Sequence, residues 1–518
     1  TQYIVTTKED ADRCYSYKLN ESTKKATITY YDKTCGLDLM IPSNIDGYEV
    51  TEIYSYAFYN MGIKSVIIPS TVTSIGSRAF ASNPITKVTL PPGLEKIDSE
   101  AFLNCKLPKV SFPSTLKTIG ARAFKNNQIS RIPDTTATIG SCAFCGNPIP
   151  NASFLYATKS DGTLDYTTVR GYIGDFTEFT DKRFVIPAEV EGVALTTIAG
   201  SAFYSMSLTG WEVVIPDTVT TIKSSAFSSS GIGKVNLPEG LTTIEGSAFY
   251  SNRLTDVRIP DSVSSLGSLA FNGNWVENPD QIYIYRRYKD SNGNPQIDYS
   301  TIVGYCGKNR ANIEIPAEKN GIELTTIAGS AFRYLSLTGT ITIPSSVTSI
   351  GQLAFTLNKL TSVDNGDGNT SGPPFIYNRN SDGTINYESL NGYGGYQTEH
   401  VEIPSNVKII GPYAFYYTYI KGVTIPEGVT TIGAQAFHLC RLDGTVVIPS
   451  TVTSIGSSAF YKARTWTSMN GTLTKIVNKT GRAFKWNSIT GGPGPANDTF
   501  VTGTVENWYG DIEVVNSE

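Results

Sequence analysis

The sequence predicts a β-rich solenoid, with about fifteen stacked coils of 22 residues interrupted by three β-hairpin insertions. Three observations predict it. The dipeptide Ala-Phe recurs with its Phe at positions 58, 80, 102, 124, 144, 203, 227, 249, 271, 332, 355, 415, 437, 460 and 484, and the basic step is 22 residues. Most repeats carry a short alternating apolar segment that stops at a proline. In three intervals the step jumps to 59, 61 and 60, with aromatic runs on both sides of an Asp-Gly or Asn-Gly pair. A period of this length marks stacked units that bury their apolar faces only against neighbours. It overrides the three or four globular domains that 518 residues would otherwise suggest.

The repeat from Leu241 to Pro260, LTTIEGSAFYSNRLTDVRIP, shows how one coil is built. Leu254, Val257 and Ile259 have the L-x-x-L-x-L spacing of a leucine-rich-repeat strand. Alternation turns Val257 and Ile259 inward and Arg258 outward. Pro260 ends the strand because it has no N–H for the ladder. A second extended piece runs from Val263 to Leu266, Gly267 turns the chain, and Ala270 and Phe271 bring it back inward. The step of 24 before Phe227 and the steps of 23 before Phe355 and Phe460 place their extra residues around Gly210, Gly339 and Gly444. They are read as turn insertions, since a slip inside the strand would turn its core side chains outward.

The phrases IPSTVTSIGSRAF (68–80) and IPSTVTSIGSSAF (448–460) resemble the BspA-like subclass of leucine-rich repeats found in bacterial surface proteins. The resemblance spans about residues 41–490 and departs from the pattern at 145–200, 272–328 and 356–410. It implies a curved solenoid on the cell surface, or secreted, that adheres to host proteins, glycans or other microbes.

The three departures resemble one another. Phe154-Leu-Tyr156, Tyr283-Ile-Tyr285 and Phe375-Ile-Tyr377 precede Asp161-Gly162, Asn292-Gly293 and Asp382-Gly383; then come Tyr166, Tyr299 and Tyr387, and Gly171-Tyr172, Gly304-Tyr305 and Gly392-Tyr393. Aromatic strands about such turns predict hairpins near 150–180, 280–310 and 372–398. Either the hairpins project and offer their rings to a ligand, or the rings pack back on the solenoid flank. Tyr15 to Tyr30 has a similar layout without the glycine turn. Residues 1–40 are read as an N-terminal cap, 41–490 as the solenoid, and 491–518 as a linker from Gly491 to Pro495 followed by short strands at 501–505 and 512–515. Open solenoid ends require such covers.

With 42 Lys and Arg against 46 Asp and Glu, the net charge is −4, which lacks the basic footprint of a nucleic-acid binder. No apolar run is long enough to span a bilayer, and neither a leader peptide nor a C-terminal anchor is recognisable. Seven cysteines exclude a fully paired framework within one chain. Cys14 and Cys35 either close a loop or remain buried thiols. Cys142 and Cys145 bracket Ala143-Phe144 and are read as core thiols, because no second pair completes a four-ligand metal site.

His400 and His438, the two histidines, have no metal-ligand or triad companion nearby in sequence, and no nucleophile elbow, zinc helix or phosphate loop occurs. We therefore expect no enzyme, cofactor or metal. The expected partner is a protein or glycan bound through the outward strand positions, of which Thr89, Arg131, Asn236, Arg258, Thr342 and Thr424 are candidates, together with Tyr156, Tyr285 and Tyr377 of the hairpins. The sequence sets no oligomeric state. The competing role is a spacer that displays other domains on the envelope. An exposed aromatic patch would favour binding and a uniform Ser/Thr surface the spacer.

Overall fold

In the computed structural model most coils carry two short strands and one hydrogen-bonded turn, and these stack on their counterparts in the next coil. Within residues 5–516 the structure describes all but 131, 134, 141, 149–153, 175, 177–178, 397–399, 462–472, 483, 486–498, 501–502 and 506–511. The chain forms two compact units, Thr1–Leu241 and Thr242–Glu518. Each is a β-solenoid.

In the first unit, Ser65–Ile67 pairs in parallel with Asp38–Met40 and with Lys87–Thr89, residue opposite equivalent residue. Val66 is buried and Ile67 exposed, as alternation requires. Pro69 then opens a tight turn closed by Val72 N–H on its carbonyl at 3.1 Å. Ser74–Ile75 follows and pairs in parallel with Tyr48–Ile53 and Lys96–Ile97. The third stack is the Ala-Phe turn. Arg78, Phe80 and Ser82 donate their N–H groups to Ser99, Ala101 and Leu103 of the next coil at 3.0, 2.8 and 2.8 Å. To aim alternate amides across the gap, Arg78 and Ser82 take φ of 54° and 59°. Most coils repeat these left-handed positions two residues before and after the Phe. Each costs a non-glycine residue about 1–2 kcal/mol.

Inside the turn the rings pile up. In the first unit Phe58, Phe80, Phe102, Phe124 and Phe144 follow one another at centroid distances of 4.9, 5.2, 5.3 and 5.5 Å. In the second, Phe249–Phe271, Phe332–Phe355, Phe415–Phe437 and Phe437–Phe460 stack at 5.1–5.2 Å. The side chain of Phe484 lies outside the described residues. A polar column runs beside this one. Buried Asn83, three residues after Phe80, donates to the carbonyls of Phe58 and Phe80 at 2.7 and 2.9 Å and accepts from the amides of Met61 and Ile63 at 2.8 and 3.1 Å. Asn127, Asn274 and Asn358 repeat this role. Cys105, Ser230 and Cys440 take the same place, each donating to the preceding coil's Phe carbonyl.

The hairpins differ from the expected insertions. Phe154–Thr158 pairs with Leu164–Tyr172, Tyr283–Lys289 with Pro295–Tyr305, and Phe375–Arg379 with Ile385–Tyr393, all antiparallel. Each return strand then joins the parallel ladder of the following coil: Val169 opposes Ile198, Ile302 opposes Ile327, and Leu390 opposes Ile410. Its terminal Tyr172, Tyr305 or Tyr393 is fully buried. Tyr305 stacks on Phe332 at 5.8 Å and Tyr393 on Phe415 at 5.4 Å. The N-terminal hairpin of Tyr15–Asn20 and Lys25–Tyr31 does the same, with Tyr31 5.5 Å from Phe58. The hairpins therefore begin coils instead of interrupting them, and the two units together hold about 19 coils.

Two smaller expectations also change. The extra residues at Gly339 and Gly444 lie within the strands Thr338–Thr342 and Gly444–Ile448 as register shifts, where a positive φ lets the chain bulge without turning core side chains outward. Cys142 and Cys145 form a disulfide, as do Cys14 and Cys35, while Cys105, Cys306 and Cys440 are buried thiols. At the C-terminal end Gly503–Val505 pairs with Ile512–Asn516, which extends the ladder of Leu473–Asn478. The Gly491–Pro495 joint lies outside the described residues.

Candidate binding surface

Among the strand candidates, Thr89, Asn236, Arg258 and Thr424 are exposed and Thr342 is half-buried, whereas Arg131 lies outside the described residues. Of the hairpin tyrosines, Tyr156 and Tyr285 retain only 9% exposure, and Tyr377 is half-buried. Each packs edge-on against its hairpin partner, Tyr166, Tyr299 or Tyr387, at 5.2–5.4 Å. The rings therefore lie mainly against their own hairpins and the solenoid flank. Burial, with Tyr299 as a second cause, pushes the Tyr285 hydroxyl up to about 12.

Half-buried arginines hold the hairpins down. Arg170 donates to the carbonyls of Ala137 and Tyr156 at 2.6 and 3.0 Å, Arg287 to Pro260 at 2.9 Å, and Arg379 to Asn365 and Val347 at 2.5 and 3.1 Å. Burial lowers all three guanidinium pKa values, and the attached carbonyls are the compensation for that desolvation. Arg258 and Tyr285 both line a cleft of about 220 Å³ between the second hairpin and the preceding coil.

An extended aromatic surface lies instead on the outer side of the Ala-Phe turns in the second unit. Positions one and two after Phe415 are Tyr416 and Tyr417, and those after Phe332 are Arg333 and Tyr334. The left-handed turn leaves Tyr334 53% and Tyr417 38% exposed. Tyr396 packs on Tyr419 at 4.3 Å, and Tyr417 meets Tyr419 edge-on at 6.4 Å. Tyr416 touches Tyr413 and His438 at 5.8 and 5.4 Å, and His438 touches Tyr461 at 5.1 Å. Tyr334, Lys359, Tyr396, Tyr417 and Tyr419 line a cleft of about 210 Å³. Burial, then Tyr396, raises the Tyr419 hydroxyl. A tyrosine pair immediately after the repeat Phe was the sequence signal for this face; the strand-centred reading passed over it.

His400 Nε2 contacts both Thr424 Oγ1 at 2.6 Å and Glu402 Oε1 at 3.1 Å on an exposed strand pair. A catalytic relay places acid and nucleophile on opposite ring nitrogens, so this trio has the form of a surface hydrogen-bond cluster. Among the described residues no group of three or more His, Cys, Asp and Glu is arranged to hold a metal ion, and no helix is long and apolar enough to cross a membrane.

The chain matches the family described as BspA type leucine rich repeat region, in six copies, over residues 47–160, 193–283, 303–391 and 383–491. Three solved structures are similar. A leucine rich cell surface protein from Faecalibacterium prausnitzii A2-165 is 23% identical, with 93% of this chain and 97% of that chain covered and a TM-score of 0.28. A leucine-rich repeat protein from Bacteroides ovatus ATCC 8483 is 18% identical, with 90% and 93% covered and a TM-score of 0.22. The pneumococcal vaccine antigen PcpA is 18% identical, with 79% and 96% covered and a TM-score of 0.25. A comparison with curated protein sequences finds no match.

Proposed function

Because the chain belongs to the BspA-type leucine-rich-repeat family, we propose that it is a non-catalytic binding protein, displayed on the cell surface or secreted, that adheres to host proteins, glycans or other microbes. The observation that carries this reading is the exposed tyrosine face of the second unit, with Tyr334, Tyr396 and Tyr417 bordering one cleft. Tyrosine offers large amphipathic contact area with few rotors to immobilise, so a cluster of exposed rings is costly to leave uncovered and well suited to a partner. A spacer would require only a soluble Ser/Thr exterior. The location is supported by the Cys14–Cys35 and Cys142–Cys145 disulfides, since such bonds persist in oxidising compartments.

The test is a binding panel of the purified chain against immobilised host matrix proteins and host glycans. Saturable binding to at least one member is expected, together with its loss in the double variant Tyr416→Ala, Tyr417→Ala. Silence across both panels overturns the adhesion reading and leaves the spacer.

A further inference from the structure

Three cations on the tyrosine face of the second unit lie over aromatic rings. The Arg333 guanidinium is 5.5 Å from the Tyr416 centroid, Lys359 Nζ is 5.1 Å from Tyr396, and the Arg441 guanidinium is 3.8 Å from Tyr419. None of the three has a carboxylate partner among the described residues. Arg333 Nε is buried with no hydrogen-bond partner among them. Some surface cations elsewhere are paired with acids, as where Arg78 and Arg122 share Glu100, Lys117 meets Glu95 and Lys408 meets Glu388, while Lys18 and Arg253 also lie over the rings of Tyr54 and Trp275. The cleft bounded by Tyr334, Tyr396, Tyr417 and Tyr419 has Lys359 on its wall and, among the described residues, no carboxylate in its lining. At about 210 Å³ it is smaller than the roughly 300 Å³ at which pockets for drug-sized ligands begin, so it seats one ring rather than an extended molecule.

From these features we infer that this cleft binds a single anionic pyranose at the end of a glycan, with the sugar's C–H face on the rings of Tyr396 and Tyr417 and its acid group on Lys359. The inference rests on the adhesion reading and narrows it to one ligand class. The rings supply the apolar platform and the polar hydroxyl tips that a sugar face needs. Lys359, held over a ring instead of a carboxylate, keeps its N–H donors available for an anion. The size of the cleft and the net charge of −4 both disfavour an extended polyanion.

Titration calorimetry of the full chain with sialyllactose, a methyl glucuronide, a sulfated lactose and plain lactose tests it. An anionic sugar should bind at least about tenfold more tightly than lactose, and the ranking of the three anionic probes distinguishes carboxylate from sulfate as the recognised group. Lys359→Gln should erase most of that preference, and Tyr396→Ala should lower binding of every sugar. Both positions are exposed, so neither variant should unfold the chain; Tyr56→Ala in the first unit is the control. Equal affinity for lactose and the anionic sugars, or no effect of Lys359→Gln, overturns the inference. If matrix proteins bind saturably while all four sugars fail, the inference falls and the adhesion reading stands.

Discussion

The rings of Phe249 and Phe271, one coil apart, lie 5.2 Å apart and within 4° of parallel. Both are fully buried, so each ring is the packing surface of the next and neither coil closes its interior alone. Stability in such an array is a sum of repeat terms and nearest-neighbour interfaces. Removing one ring leaves a cavity bounded by both neighbours. Phe249→Ala should cost about 3–5 kcal/mol in denaturant unfolding, through transfer and cavity terms together. A loss under about 1 kcal/mol would show that the rings do not form a shared interior.

The column beside the rings makes a second prediction, and it is a graded one. Asn83→Ala strands the amides of Met61 and Ile63 and the carbonyl of Phe58 in a buried site, while the Phe80 carbonyl keeps Cys105 as a donor. Leaving buried groups unpaired costs about 1–3 kcal/mol each, so the loss should exceed 2 kcal/mol. Asn83→Cys and Asn83→Ser should be milder, because Cys105 and Ser230 already fill this place in other coils. Thermal unfolding of the three variants checks the order Ala, then Cys and Ser, then the unaltered chain.

Arg287 fastens the second hairpin to the carbonyls of Pro260 and Ile259 at 2.9 and 3.3 Å. Arg287→Ala should destabilise by about 2 kcal/mol, the range for hydrogen bonds from a charged donor that is not fully buried. Arg287→Lys should recover only part of this, because an ammonium lacks the planar fork that reaches two carbonyls at once. Hydrogen exchange should localise the loss to residues 283–305. Uniform loosening of the whole second unit would contradict the docking role.

How much of this was visible beforehand depends on the period of each signal. Ala143-Phe144 and its fourteen counterparts repeat at a basic step of 22 residues, so the solenoid was legible from spacing alone. Tyr305 and Tyr393 were legible as hairpin aromatics but not as members of the ring column, because Gly-Tyr replaces Ala-Phe there and the return strand reaches the turn two residues sooner. The asparagine column was overlooked although the residue three after Phe is Asn, Cys, Ser or Thr in many coils. Those side chains share one act, accepting or donating at a neighbouring backbone, and no shared letter. The tyrosine face needed the left-handed turn geometry, since residues flanking a buried Phe would otherwise be assigned to the interior. Cys142 and Cys145 were assigned as thiols because the sequence does not state that the Ala143-Phe144 turn brings their Cα atoms to 4.9 Å.

The three buried thiols supply a pH prediction. Burial pushes Cys105, Cys306 and Cys440 from the ordinary value of 9.0 to about 12. A raised pKa in the folded chain means that the unfolded chain releases these protons first. The associated stability is therefore fully present below pH 9.0 and is lost as pH rises through about 12. Buried Tyr305 and Tyr393, raised from 10.0 to about 12 by burial first, act in the same direction and in nearly the same window. Unfolding free energy should accordingly fall on the alkaline side of pH 9 and stay flat with respect to these groups below it. Thiol reagents at pH 8 should label none of the three cysteines in the folded chain. Denaturant without reductant should expose three, and added reductant should expose all seven, because Cys14–Cys35 and Cys142–Cys145 hold the other four. Rapid labelling of Cys440 in the folded chain would place that thiol outside the asparagine column.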